Sequence, residues 1–121
     1  MALPYVPPLQ NKFFTVTIDD ISTAGQEYFA PGFNGRIRKA TSVINGAIAT
    51  ADADLTLKIG GTAVTNGVIT VATSGSAAGT VDSCSPTANR SFTSTDSIEI
   101  ETDGASTNTV AVTVTLELEP A

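Results

Sequence analysis

A chain of 121 residues can enclose one hydrophobic core between two layers but not two separate cores. With 41% hydrophobic residues, only 6% aromatic ones and no Trp, that core must be built mainly from Val, Ile, Leu and Ala. The net charge of -6 is uneven: residues 1–58 balance five acids with five bases, whereas residues 59–121 set seven acids against Arg90 alone, which disfavours a polyanionic partner such as nucleic acid.

Residues 1–11 read as an extended arm. Pro4, Pro7 and Pro8 fix φ and remove amide donors, which excludes a helix or a central strand. Such a segment either frays or orders on a neighbouring subunit, where Tyr5 would be an aromatic anchor. Met1-Ala2-Leu3-Pro4 has no charged n-region and no apolar h-region, so no signal peptide is expected. No apolar run approaches the ~18 residues of a membrane span, so a soluble protein made in a cytoplasm is expected.

Residues 12–21 read as the first strand, with Phe14, Val16 and Ile18 on one face and Phe13, Thr15, Thr17 and Asp19 on the other. Phe13 is then a large apolar group on a polar face, either covered by the arm or part of a contact surface. Residues 22–26 form a turn, and Pro31-Gly32-Phe33-Asn34-Gly35 breaks any element. Residues 36–48 form the next β run, with Ile37, Val43, Ile44 and Ile48 as core candidates and a bulge expected near 39–41. Residues 54–59 alternate cleanly, Leu55, Leu57 and Ile59 inward. Gly60-Gly61 and Asn66-Gly67 each predict a two-residue hairpin, with short strands at 62–65 and 68–72.

Residues 73–78 are a small-residue loop, and 79–84 a short strand centred on Val81. Residues 85–89 predict a capped single turn, Ser85 as cap and Pro86 at the first helical position. Residues 96–102 alternate Ile98 and Ile100 with Ser97, Glu99 and Glu101. In residues 109–119, Val110, Val112, Val114, Leu116 and Leu118 alternate without a break against Ala, Thr and Glu, which fixes a long half-buried strand. It is expected to pair with 96–102 across Asp103-Gly104. Eight or nine short strands with no long helical pattern predict an all-β protein, an antiparallel β-sandwich or jelly roll, in a single domain over 12–121.

Chemistry-bearing residues are few. Without histidine, no Ser–His or Cys–His nucleophilic site can be assembled and the commonest metal ligand is missing. The single cysteine, Cys84, excludes an internal disulfide and metal-ligand cysteine spacing, and reads as a small buried apolar residue. Asp19-Asp20 and Asp52 with Asp54 are carboxylate pairs that could approach calcium. Neither lies in a recognisable loop pattern, and solvated turn acids are the simpler reading. The chain is therefore expected not to be an enzyme and to carry no cofactor and no metal. Arg36, Arg38 and Lys39 are too few for a nucleic-acid footprint.

Several segments carry a resemblance: Gly35-Arg36-Ile37-Arg38-Lys39-Ala40; Asp54 to Val64 with its Gly60-Gly61 turn; Ser74-Gly75-Ser76-Ala77-Ala78-Gly79; and Asp96-Ser97-Ile98-Glu99-Ile100 with Asp103-Gly104. Together they cover most of the chain from Phe14 to Leu118. In these the chain resembles the capsid decoration (cement) proteins of tailed bacteriophages, small proteins encoded near the major capsid protein. The resemblance implies a β domain sitting as a trimer on the outside of the virion's shell, with the major capsid protein as partner, where it holds neighbouring capsomers together. No membrane and no nucleic acid are implied. It makes Tyr5, Pro7, Pro8, Phe13, Arg36 and Arg38 candidate contacts to the capsid or to a neighbouring protomer, although both arginines also fit as strand residues facing solvent. The alternatives are a phage tail or fibre receptor-binding module and a tail-tube or neck structural subunit.

Overall fold

The computed structural model describes residues 10–121, which form nine β-strands and no helix. The strands are β1 (Lys12–Ile18), β2 (Gly25–Phe29), β3 (Gly35–Ile44), β4 (Ala53–Ile59), β5 (Thr62–Val71), β6 (Val81–Cys84), β7 (Ser91–Phe92), β8 (Ile98–Thr102) and β9 (Val112–Pro120). They build two antiparallel sheets, one in the order β1-β9-β3-β6 and the other β2-β8-β4-β5. β7 pairs with β3 on the edge β6 also uses, end to end with it. The protein is an all-β sandwich.

Period-2 alternation produces the core directly. Leu55 and Leu57 on β4, Ile98 and Ile100 on β8, and Val112, Val114, Leu116 and Leu118 on β9 are all completely buried between the sheets. The low aromatic content is concentrated at one place. Phe14 on β1 stacks on Phe29 of β2 (ring centroids 5.6 Å apart) and on Phe33 (6.3 Å), and Phe33 meets Phe92 edge-on at 5.5 Å. This cluster ties the sheets together on the side where β1 and β2 are both edge strands.

The opposite side is joined by backbone. Gly60 (φ 55°) and Gly61 (φ 84°) make the expected tight hairpin between β4 and β5, whose two central positions both need a left-handed backbone. Asn66-Gly67 is not a second hairpin. β5 runs through it, and the register against β4 shifts so that Val64–Gly67 stand opposite Leu57 alone. The excursion frees Thr65 to form a bridge with Ala88, its amide donating to the Ala88 carbonyl at 3.0 Å while the Thr87 amide donates to the Thr65 carbonyl at 3.1 Å. Residues 85–89 are accordingly not a helical turn: the Thr87 amide and the Ala88 carbonyl are committed to this bridge, and Asn89 takes a positive φ of 50°.

Further expectations are corrected. The β3 bulge falls at Arg38, slightly earlier than expected, since Ile37 pairs with Leu118 and Lys39 with Glu117. The extra residue inverts the alternation, so Ala40, Ser42 and Ile44 point inward and Val43 is 39% exposed. Ile48 is buried, but in the loop after β3. Val81 opens β6 on its outer face and is 60% exposed. The closing strand does not pair with β8: after β8 the chain crosses to the other sheet, and β9 inserts between β1 and β3. A turn at Asp103-Gly104 would have kept both strands in one sheet. Instead Asp103 is held at β4, accepting from the Asp54 amide, and the chain continues past Ala49, which bridges Thr107.

Candidate interaction surface

Phe13 is 66% exposed on the outer face of β1, an edge strand whose only partner among the described residues is β9. The alternation that sends Phe14 into the aromatic cluster sends Phe13 outward. Tyr5, Pro7 and Pro8 lie outside the described residues. Tyr28, on the outer face of edge strand β2, is 62% exposed and was not singled out from sequence; the short run around it gave too little periodicity to assign a face.

Arg36 and Arg38 lie together on the outer face of β3, opposite two carboxylates of β9. Arg36 donates through Nε (2.9 Å) and a terminal nitrogen (3.1 Å) to the two oxygens of Glu119. Arg38, the bulge residue, approaches Glu117 at 3.7 Å and Glu119 at 3.8 Å without a comparable fork. The hydrogen bond from Arg36 holds the Glu119 carboxyl below its ordinary range and raises the guanidinium in return. Both arginines therefore have partners within the chain.

The register also assembles a surface that linear sequence does not display. Across β1, β9, β3 and β6 the outward residues form rows: Thr15, Thr115, Thr41 and Ser83, then Thr17, Thr113, Val43 and Val81. This band is uncharged, with Phe13, Glu117 and Lys39 as the next row toward the basic end. Four strands from distant parts of the chain contribute, so only the pairing could have revealed it. The outer face of the other sheet is acidic and partly self-neutralised. Lys58 Nζ lies 2.9 Å from Glu101, whose carboxyl is lowered by that hydrogen bond, and Glu99 is buried in the row between Tyr28 and Lys58.

Several other acids are engaged locally. Asp20 accepts from the amide (2.9 Å) and hydroxyl (2.6 Å) of Ser22 and from the Thr23 hydroxyl (2.9 Å), which keeps its carboxyl below the usual range. Asp52 accepts from the amide and hydroxyl of Thr73, and Asp54 from the Thr70 hydroxyl. Among the described residues no three His, Cys, Asp or Glu side chains converge as a metal site would require. Cys84 is half-buried against the core, and that burial pushes its thiol up to about 11, away from nucleophilic character. No protein-family model matches the chain, and no curated protein is similar enough to count as a relative.

Proposed function

We propose that this chain is a non-enzymatic structural protein of a tailed-bacteriophage virion, and that it binds the outer surface of the capsid and bridges neighbouring capsomers. The observation that carries the reading is the uncharged outer face of β1, β9, β3 and β6, with Phe13 exposed on the edge strand that begins at Lys12. A face of small β-branched residues on a rigid sheet loses little side-chain entropy when covered. The arm expected from the prolines of residues 1–11 would extend the contact across a subunit boundary. The strand order supports a jelly roll, because the chain passes between the two sheets at nearly every connection. In this reading the protein is a homotrimer whose interface is heterologous and closes into a ring.

The test is to locate the protein in an electron-microscopy map of the virion that contains it. Density at three-fold or quasi-three-fold positions of the shell is expected, together with saturable binding to preformed expanded capsids that weakens when residues 1–10 are removed. Density confined to a fibre tip, tail tube or neck, or binding to host cells without binding to capsids, would overturn the reading.

A further inference from the structure

Four of the six cations, Arg36, Arg38, Lys39 and Arg90, gather at one corner of the β1 sheet, where the β3 bulge meets the loop before β7. Glu117 and Glu119 are the only carboxylates that pair with them among the described residues, so this corner holds an excess of two positive charges in a chain of net charge -6. Arg36 is firmly held by Glu119 and Arg38 only loosely. Lys39 and Arg90 have no carboxylate within 4.0 Å among the described residues. Arg90 is half-buried between two clefts of about 550 and 340 Å³, and among the described residues its guanidinium hydrogen-bonds only to the Ile37 carbonyl, at 3.4 Å.

The diagonally opposite corner has the complementary character. Where β1 turns into β2, a cavity of about 260 Å³ has Ile18 and Ile100 among its apolar walls, and Asp19, Asp20 and Glu27 also line it. Asp19 and Glu27 have no cation within 4.0 Å among the described residues. A lysine or arginine side chain is an aliphatic stem carrying a charged head, and this cavity offers an apolar wall for the stem and carboxylates for the head.

We propose that the occupant of this cavity is a second copy of the chain: Arg38 and Lys39 of one copy dock against Asp19 and Glu27 of the next. Copies carrying -6 repel one another in general, and the basic corner is the largest gathering of cations among the described residues that could offset that repulsion at a contact between copies. That corner and its acceptor lie at opposite ends of the sheet: Ile18 pairs with Val112, itself opposite Ile44, whereas Arg36 pairs with Glu119 at the other end of β9. The contact is therefore head to tail, and it gives the ring of the reading above if its rotation closes. This inference rests on the self-association contained in that reading, not on capsid binding.

Sedimentation velocity of the full chain tests it, at about 0.01 M salt, where charges act over roughly 30 Å, and at about 1 M, where they act over roughly 3 Å. Association at low salt that is lost at high salt is expected. Arg38→Glu with Lys39→Glu, and separately Asp19→Lys with Glu27→Lys, should each weaken association by about ten-fold or more. All four substitutions in one chain should restore it, with circular dichroism verifying the sandwich in every variant. A chain monomeric at low salt, reversals without effect, or a four-fold variant that stays monomeric would overturn the proposal. Capsid binding by a monomeric chain would do so too, while leaving the capsid reading standing.

Discussion

Replacing Gly67 with Ala tests the excursion of β5 at the point where its backbone is tightest. A Cβ at position 67 would lie 2.8 Å from Val64 Cβ, 2.9 Å from the Val64 carbonyl oxygen and 3.0 Å from Val64 Cγ1. Two of these atoms are close to or part of the backbone of a buried residue and cannot swing away. Over-packing of this kind costs about 1–3 kcal/mol, offset by about 0.4–1 kcal/mol from the lower entropy of the unfolded Ala chain. A net loss of about 1–2 kcal/mol corresponds to a fall in Tm of about 4–8 °C for a domain of this size. Gly25→Ala is the control: its added Cβ meets nothing within 4 Å, and its Tm should hold or rise slightly. Thermal unfolding followed by circular dichroism reads both variants. Hydrogen exchange at the Thr65 and Thr87 amides, which form the bridge to the loop, should accelerate only in Gly67→Ala. If the two variants melt together and both amides stay protected, β5 does not fold back at Val64–Gly67 and the reasoning fails.

Leu116, completely buried at the centre of β9, should lose about 2.7–5 kcal/mol on replacement by Ala, measured by urea denaturation with the m-value unchanged. Phe13→Ser should shift stability by no more than about 0.5 kcal/mol, because the ring is mostly solvated, yet weaken capsid binding; a large loss of stability would show that Phe13 is covered within the monomer. With a thiol near 11, native Cys84 carries about one thiolate in a thousand at pH 8, so iodoacetamide should label it at least about ten-fold more slowly than in urea. Asp20, Glu101 and Glu119 all have folded-state pKa values below their ordinary ones. The unfolded chain therefore binds more protons in acid, and the stability they contribute is present above the ordinary carboxylate range and lost as pH falls through the folded values. A Tm flat from about pH 6 to 8 and falling below about pH 4.5 is expected, with a shallower acid limb in Asp20→Asn.

What the sequence revealed and what it concealed divide along a physical line. Local alternation made β4 legible to within a residue and β9 to within three at its start, because an inward Leu or Val every second position has only one geometric solution. Gly60-Gly61 was legible for the same reason: two positive φ angles in succession name their turn. Partners were not legible. β9 and β8 carry compatible patterns, and nothing local records that β9 belongs between β1 and β3. Asn66-Gly67 misled because Asn66 does take a positive φ of 57°, but in an excursion whose reason lies in the loop around Ala88. For the surface, Phe13 was visible as a residue out of keeping with its face, whereas Arg36 and Arg38 were singled out only through the resemblance. Arg90 as a member of the corner with Arg36, Arg38 and Lys39, and the Thr and Val rows beside them, exist only once the register is known.

The placement of β9 also dictates the order in which the molecule can be made. β1 and β3 are not neighbours in their sheet; each pairs along its length with β9, which lies between them. Until that last strand leaves the ribosome, β1 has no partner at all within the described chain, and β3 holds only the short β6 and β7. The nascent protein therefore carries an unfilled slot in its larger sheet for most of its synthesis, with Phe14, Val16 and Ile37 uncovered beside it. Completion of the larger sheet must be a late event set by the arrival of one strand, and a chain stalled before Val112 would present that slot to any extended segment nearby.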